Sequence, residues 1–501
     1  MKHTFLQSPS KQRAALPVIA VFTQHATDHP FIATLNSQDR RYVRDALKNF
    51  SGAFLECELL HLPSHHTSTV LLFGLGEKKN WTHRHTMIAV RKIVQFAKSV
   101  KKKSCALLIN DIKIRECTDE ACAEMIAQNC EMAQYVFNDY LEKPKDGWLV
   151  FEEMQYCIRG VSAGSLMQKA LERGKIIGEQ VNAARDLSNV PGGDMTPKRL
   201  SHHAKEQGKK HGLSVEVLGE KQMEQLGMGA ILGVSRGSVE EAQFIIMEYY
   251  GTAKNKKPIV FVGKGITFDS GGLNLKPTGS LEEMHMDMSG GAAVLSAIVA
   301  IARLKVRTNI IGIIPAVENM PSGSSYRPGD ILRSMSGKSI EIVNTDAEGR
   351  VVLADALTYA KRYEPRMVVD IATLTGACMV ALGSHAAGVF SRNEKLLSRL
   401  TALGEKSGDY LWPLPMWDEY ADELKGTIAD IRNAKKSRDA GATNGALFLY
   451  QFAQDFQQWA HIDIASTMTT VPAQCLSAGS RGAGTALLIE LARADTEPTN
   501  S

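Results

Sequence analysis

The hydrophobic positions change their period along the chain, and that change marks out its elements. Up to about residue 155, apolar runs of strand length at 18–22, 69–73 and 105–109 alternate with helical spacing, as over 84–98, where Ile88, Val94 and Phe96 share an inward face. This alternation predicts a small α/β domain. Residues 165–187 contain no proline and place Leu166, Ala170, Ile176, Ile177 and Val181 near helical spacing. The pattern stops at the helix breakers Ser188, Asn189, Val190, Pro191, Gly192 and Gly193. From Leu213 onward, strand-like runs (214–218, 242–249, 258–262, 309–315, 367–371, 461–464) alternate with helical ones (221–226, 290–304, 351–363, 444–456). Residues 259–262 and 367–369 are apolar on both faces, as strands covered by helices on each side must be. The expectation is an α/β protein of two domains: a smaller N-terminal α/β domain over 1–160, a linking helix over 161–190, and a larger C-terminal α/β domain over 191–501 with a mixed central sheet flanked by helices. In such sheets the chemistry collects beyond the carboxyl ends of the strands.

Composition narrows the class. The 501 residues are 44% hydrophobic and 22% charged, with 41 Gly and 17 Pro, which excludes collagen-like, low-complexity and generally disordered chains. The formal net charge of +4 is too small to mark a nucleic-acid binder, yet it is unevenly placed. Residues 1–160 hold 21 Lys+Arg against 17 Asp+Glu, and the remainder holds 37 of each. Lys98, Lys101, Lys102 and Lys103 read as a solvated helix end rather than a binding patch. Eight scattered cysteines without a CxxC pair fit reduced thiols. The start of the chain, with Lys11 to Arg13 before an apolar run, reads as a first strand rather than a secretion signal, because Pro17 interrupts it and no small-residue cleavage site follows. No apolar run, 290–304 included, is expected to reach the 18 to 20 residues that span a bilayer. These features point to a cytoplasmic protein with no membrane partner.

The polar clusters fall where the fold puts chemistry. After the 259–262 run comes a glycine-rich segment, Gly263 to Gly272, which has neither the P-loop nor the dinucleotide spacing and reads as a bent loop projecting Lys264 and Asp269. Lys276 follows beside Pro277, and Asp287 precedes the next helix. In the third piece, Asn344 to Arg350, an extended backbone would turn Asp346, Glu348 and Arg350 to one side, whereas a helix start would make Asp346 its cap. Four carboxylates gathered at strand ends (Asp269, Asp287, Asp346, Glu348) require cations, and two divalent ions would balance them. Oxygen-rich ligation favours Mn²⁺, Zn²⁺ or Mg²⁺. There is no His-Glu-x-x-His motif, and His285 reads as a packing residue.

These segments, 262–272, Lys276-Pro277, Met284 to Met288 and 344–350, resemble the leucyl aminopeptidase (cytosol aminopeptidase) family, peptidase family M17. Asn344 to Arg350 is similar to that family's signature, and Ala184 to Asn189 with Thr196-Pro197 is similar to its domain junction. The resemblance implies a metal-dependent aminopeptidase that releases unblocked N-terminal residues, leucine and other apolar ones preferentially, from peptide substrates in intracellular protein turnover. It implies that Lys264, Asp269, Asp287, Asp346 and Glu348 ligate two metals, with Asp269 and Glu348 bridging and Lys264 bound as a neutral amine. Lys276 and Arg350 become the catalytic residues, the first stabilising an oxyanion and the second holding a bicarbonate. Met284, Asn344, Ala347, Thr373 and Leu374 match the family's first-residue pocket. The family assembles as homohexamers.

The chain departs from the family pattern at Ser466, where glycine is usual, and over 438–447, which touches loop conformation and substrate preference rather than the reaction. Two other readings remain open at this point. One is a DNA-binding accessory role, in recombination or transcription, through the basic N-terminal domain. The other is a different two-metal hydrolase such as a phosphatase.

Overall fold

A computed structural model describes residues 1–6, 8, 15–23, 28–64, 68–158, 164–435, 437 and 439–496. Lys11 to Arg13, residues 161–163 of the expected linking helix and Arg438 of the altered segment lie outside the described residues. The chain forms two compact units, Met1–Glu179 with Val471–Ser477, and Gln180–Thr470 with Ala478–Ser501. The helix expected over 165–187 runs from Gly164 to Asn189, and the boundary between the units falls inside it.

The N-terminal unit is built on a six-stranded sheet in the order Lys2–Leu6, Glu153–Cys157, Ser104–Leu108, Leu16–Val21, Thr69–Gly74 and Cys57–His61. All neighbours are parallel except the last pair. Alternation along Leu16–Val21 sends Val18 and Ala20 into one core and Ile19 and Val21 into another, so the strand is buried on both faces. The first core lies against the helices His83–Ser99 and Asp119–Gln134, the second against Ser37–Asn49. Helix Asp119–Gln134 was missed in the hydrophobic pattern for a physical reason. It is buried on every side between Cys122 and Ala133, and its polar residues Glu124, Gln128, Asn129 and Glu131 are buried too, so no face there is marked out by solvent. The Lys98 ammonium donates to the Gln134 carbonyl at 3.0 Å, and Lys103 pairs with Glu152 at 2.8 Å. Late in the chain, Val471–Ser477 returns to this unit, where the Gln474 carbonyl accepts from Arg91 at 3.2 Å.

In the second unit a nine-stranded mixed sheet has at its centre four parallel neighbours, Trp459–Asp463, Met367–Ala372, Ile259–Gly263 and Asn309–Asn319. Antiparallel strands flank them, Ala387–Phe390 on one side, Gln243–Tyr250 and Ser214–Leu218 on the other. Asn309–Asn319 is longer than the sequence predicts, because Gly265–Asp269 pairs parallel with its distal half. The glycine-rich segment is therefore a strand over 265–269 rather than a bent loop throughout. Helices Glu348–Ala360 and Gly441–Ala453 bury their apolar faces together with Val260, Val262, Ile311, Ile313 and Val368.

Met284–Met288 forms a 3₁₀ turn that continues directly into the helix Ser289–Arg303. Together they make one apolar stretch of 20 residues, longer than expected and of membrane-spanning length, but 89% of its most apolar window is buried inside the protein. It is a core helix. Gly312 lies beneath it, and a Cβ there would meet Ile298 at 2.2 Å.

Candidate active site

The carboxyl ends of the central parallel strands deliver the site. Lys264 follows Ile259–Gly263, Asp269 ends Gly265–Asp269, Asn319 ends its own strand, Thr373 and Leu374 follow Met367–Ala372, and Asp463 ends Trp459–Asp463. Asp287 sits in the 3₁₀ turn ahead of the buried helix. The Asn344 to Arg350 segment is not extended. A turn carries Asp346, and the helix begins at Glu348 with Ala347 as its N-cap, so neither expected geometry for Asp346 is realised.

All twelve residues expected to ligate metal, act in catalysis or bind substrate line one cavity of about 930 Å³: Lys264, Asp269, Lys276, Met284, Asp287, Asn344, Asp346, Ala347, Glu348, Arg350, Thr373 and Leu374. The Lys264 ammonium lies 2.7 Å from Asp287 Oδ2 and 2.9 Å from Glu348 Oε1, and it donates to the Thr373 carbonyl at 2.9 Å. Lys276 lies 2.8 Å from Asp269 Oδ2 and 2.6 Å from Asp346 Oδ1. Each lysine thus bridges two of the four carboxylates. Asp269, Asp346 and Glu348 each offer an oxygen, and these lie within 4.8 Å of one another. Glu348 Oε2 is buried without a hydrogen-bond partner.

The electrostatics follow from this crowding. Burial, reinforced by Asp269, pushes the Glu348 carboxyl up to about 8, and burial pushes Asp287 up to about 6 although Lys264 opposes it. Asp346 is raised for the same first reason, with Asp269 adding to it. Burial alone would lower Lys264, but Asp287, Glu348 and Asp269 outweigh it and hold the ammonium above its ordinary range. Burial draws Arg350 down to about 10, against the pull of Glu348 and Asp463. Its Nη1 donates to the Asn433 carbonyl at 3.0 Å, while its buried Nε has no partner.

Several positions invisible to sequence reasoning hold the site in shape. The Asn319 amide donates to Asp269 Oδ1 at 2.8 Å and to the Thr345 carbonyl at 2.9 Å, which leaves the other Asp269 oxygen facing Lys276. Asn433 accepts from Val343 N at 2.8 Å and donates to the Asn344 carbonyl at 2.6 Å, pinning the turn ahead of Asp346. Asp463 accepts from the backbone of Leu374 and the hydroxyl of Thr375. The only sequence signal for these was their place at or just beyond a strand end. His285 turns its ring to the Glu282 carbonyl at 3.0 Å and does not line the cavity. Ser466, where the chain departs from the family, is buried and donates to the Ala386 carbonyl at 2.7 Å.

Comparison with known proteins gives a consistent picture. Residues 182–489 match a family described as "Cytosol aminopeptidase family, catalytic domain", and residues 46–144 match its "N-terminal domain". A probable cytosol aminopeptidase of Methylobacillus flagellatus is 39% identical over 92% of this chain and 93% of its own length. One from Roseiflexus castenholzii is 43% identical over 85% of this chain and 86% of its own. Among solved structures, the bottromycin maturation enzyme BotP in complex with Mn superposes with a TM-score of 0.84 at 28% identity, covering 97% of this chain and all of that one.

Proposed function

Because this chain belongs to the cytosol aminopeptidase family, and is therefore an aminopeptidase, we propose that it is a metal-dependent exopeptidase. It removes unblocked N-terminal residues, leucine and other apolar ones preferentially, from peptides in intracellular protein turnover. The observation that carries this reading is the convergence of Asp269, Asp346 and Glu348 oxygens within 4.8 Å together with the unpartnered Glu348 Oε2. A buried carboxylate oxygen left without a donor is costly, and a cation removes that cost.

The donor set fits two divalent ions. Lys264, Asp269, Asp287, Asp346 and Glu348 would hold them, and oxygen ligands with a single amine nitrogen suit Mn²⁺ or Zn²⁺, with Mg²⁺ also compatible. When bound, such ions lower the pKa of a water towards neutrality and polarise a scissile carbonyl.

The remaining work belongs to the chain itself. Lys276 keeps its proton, since Asp269, Glu348 and Asp346 outweigh the downward effect of its partial burial. Its ammonium is thereby available to donate to oxygen charge that develops in a tetrahedral transition state. Arg350 offers its partnerless Nε to an anion in the cavity, and bicarbonate is the anion this reading assigns to it as proton relay. Met284, Asn344, Ala347, Thr373 and Leu374 form the wall that receives the first side chain. One methylene in such a pocket is worth only about 1–3 kcal/mol, so the preference for leucine is graded. The same reading makes the protein a cytoplasmic homohexamer.

The test is hydrolysis of leucine p-nitroanilide after chelation and after return of Mn²⁺ or Zn²⁺, with the wild type beside Glu348→Ala and with N-acetyl-leucine p-nitroanilide as a second substrate. Activity is expected to need the metal and the free amine and to vanish in the variant. Full activity in chelator, or equal cleavage of the acetylated compound, would overturn it.

A further inference from the structure

We propose that Asp463 is a positioning residue that sets side-chain selectivity by fixing the backbone of the pocket wall from behind. This rests on the aminopeptidase reading above. Thr373, Leu374, Thr375, Gly376 and Ala377 are a contiguous stretch of the cavity wall, whereas Asp463 is fully buried and does not line the cavity. Its Oδ1 accepts from Leu374 N at 3.1 Å, Ala465 N at 3.1 Å and Thr375 N at 3.4 Å. Its Oδ2 accepts from Thr375 Oγ1 at 2.6 Å. The one side chain thus ties together three backbone N–H groups and a hydroxyl from two separate segments of chain.

The stretch it holds reaches in two directions. Thr375 is the N-cap of Gly376–Leu382, where its hydroxyl accepts from Cys378 N at 3.2 Å, so the clamp also sets the start of that helix. Two residues earlier, Thr373 Oγ1 donates to Asp287 Oδ1 at 2.7 Å, and the Thr373 carbonyl receives Lys264. Leu374 lies between these anchors with its N–H in the carboxylate. The position of its side chain in the pocket is therefore fixed by the Asp463 bond on one side and by the Thr373 contacts on the other. Asp463 makes no hydrogen bond to Lys276 or the carboxylate cluster, but its charge does act on Arg350, so its effect on the pocket is read from the leucine-to-alanine ratio, in which an effect on the reaction common to both substrates cancels.

The decisive experiment uses the full-length, metal-loaded protein with leucine and alanine p-nitroanilides. Asp463→Asn keeps one accepting oxygen but sets an amine against Thr375. KM for the leucine substrate is expected to rise about tenfold while kcat changes far less, so that the leucine-to-alanine selectivity ratio collapses. Metal content by elemental analysis is expected to stay at the wild-type level. Thr375→Val should reproduce the loss of selectivity and Thr375→Ser should restore it, and this pair decides the question should the Asp463 variant not fold. An unchanged selectivity ratio in both Asp463→Asn and Thr375→Val overturns the proposal. So does a fall of kcat and metal content together without a change in selectivity, since that is the signature of a general structural role. A wild type that cleaves no aminoacyl substrate overturns the underlying aminopeptidase reading and takes this inference with it.

Discussion

Lys264 passes directly over Gly349. A Cβ at Gly349 would stand 2.6 Å from Lys264 Cε and 2.7 Å from its Nζ, so the missing side chain is what lets the lysine reach between Asp287 and Glu348. The segment 344–350 thus contributes a space as well as two of the clustered carboxylates, Asp346 and Glu348. Gly349→Ala tests this. Alanine improves the helix propensity of the first turn, so any loss comes from the clash. The variant is expected to keep its circular dichroism spectrum while kcat/KM for leucine p-nitroanilide falls about 100-fold, as expected for a misplaced site group. Wild-type kinetics would show that Lys264 tolerates displacement.

Lys276 invites a different split. Its ammonium bridges Asp269 and Asp346 at the cavity wall but is not buried as Lys264 is. Lys276→Met is expected to lower kcat about 100- to 1,000-fold, the usual cost of losing one oxyanion donor, with KM and bound metal little changed. A rise in KM alone would assign Lys276 to substrate binding.

Asp355 gives a stability prediction away from the chemistry. Its Oδ2 accepts from Ala230 N and Ile231 N, both at 3.0 Å, and its Oδ1 accepts from Met335 N at 2.7 Å. Asp355→Asn turns an amine towards at least one of these N–H groups and is expected to cost about 2 kcal/mol at pH 5 in urea unfolding of the chelated protein. Burial pushes the folded carboxyl up to about 7 despite the three donors. A folded pKa above the unfolded one means that the folded state binds more protons in between. The stabilisation is therefore complete below about pH 4 and is lost as the pH rises through about 7. The difference between wild type and variant should shrink towards pH 8. A constant difference would mean that Asp355 is ionised throughout.

The thiols offer a chemical check of burial. None of the eight cysteines is in a disulfide, and Cys57 and Cys117 are partly exposed while the other six are buried. Burial pushes Cys122, Cys130 and Cys378 up to about 12 and Cys57 and Cys157 up to about 11. Ellman's reagent at pH 8 is expected to reach Cys117 in the native protein, Cys57 much more slowly because its raised thiol leaves little thiolate, and all eight after denaturation, and reductant should leave the melting temperature unchanged. Fast titration of Cys105 or Cys130 would contradict the packing of the N-terminal sheet.

How much of this was legible in the sequence depended on distance along the chain. Lys264, Asp269 and Glu348 were readable because each belongs to a short segment whose composition is unusual by itself. The conformation of 344–350 was not, since both a strand and a helix start are compatible with its pattern; packing of Glu348–Ala360 against the sheet decides it. Gly265–Asp269 was concealed by its glycines, which suit a loop until a partner strand is present. Asn319 bonds Asp269 and Thr345, 50 and 26 positions away, and Asp463 bonds Leu374 and Thr375, 89 and 88 positions away, and periodicity carries no information about such pairs. Amphipathic helices such as His83–Ser99 were legible for the opposite reason, because solvent leaves one face polar.

The return of Val471–Ser477 to the N-terminal unit imposes an order of events on a growing chain. The six-stranded sheet is synthesised early, but the stretch that supplies the Gln474 carbonyl to Arg91 follows nearly 300 residues after Glu179. At about 5–20 residues per second, that is a wait of roughly 15 to 60 seconds, with the first unit still incomplete while the second is being made. Such a chain is a poor candidate for piecemeal release. Truncation shortly before Val471 would remove the partner carbonyl of the buried Arg91 Nη1 from the unit that was made first.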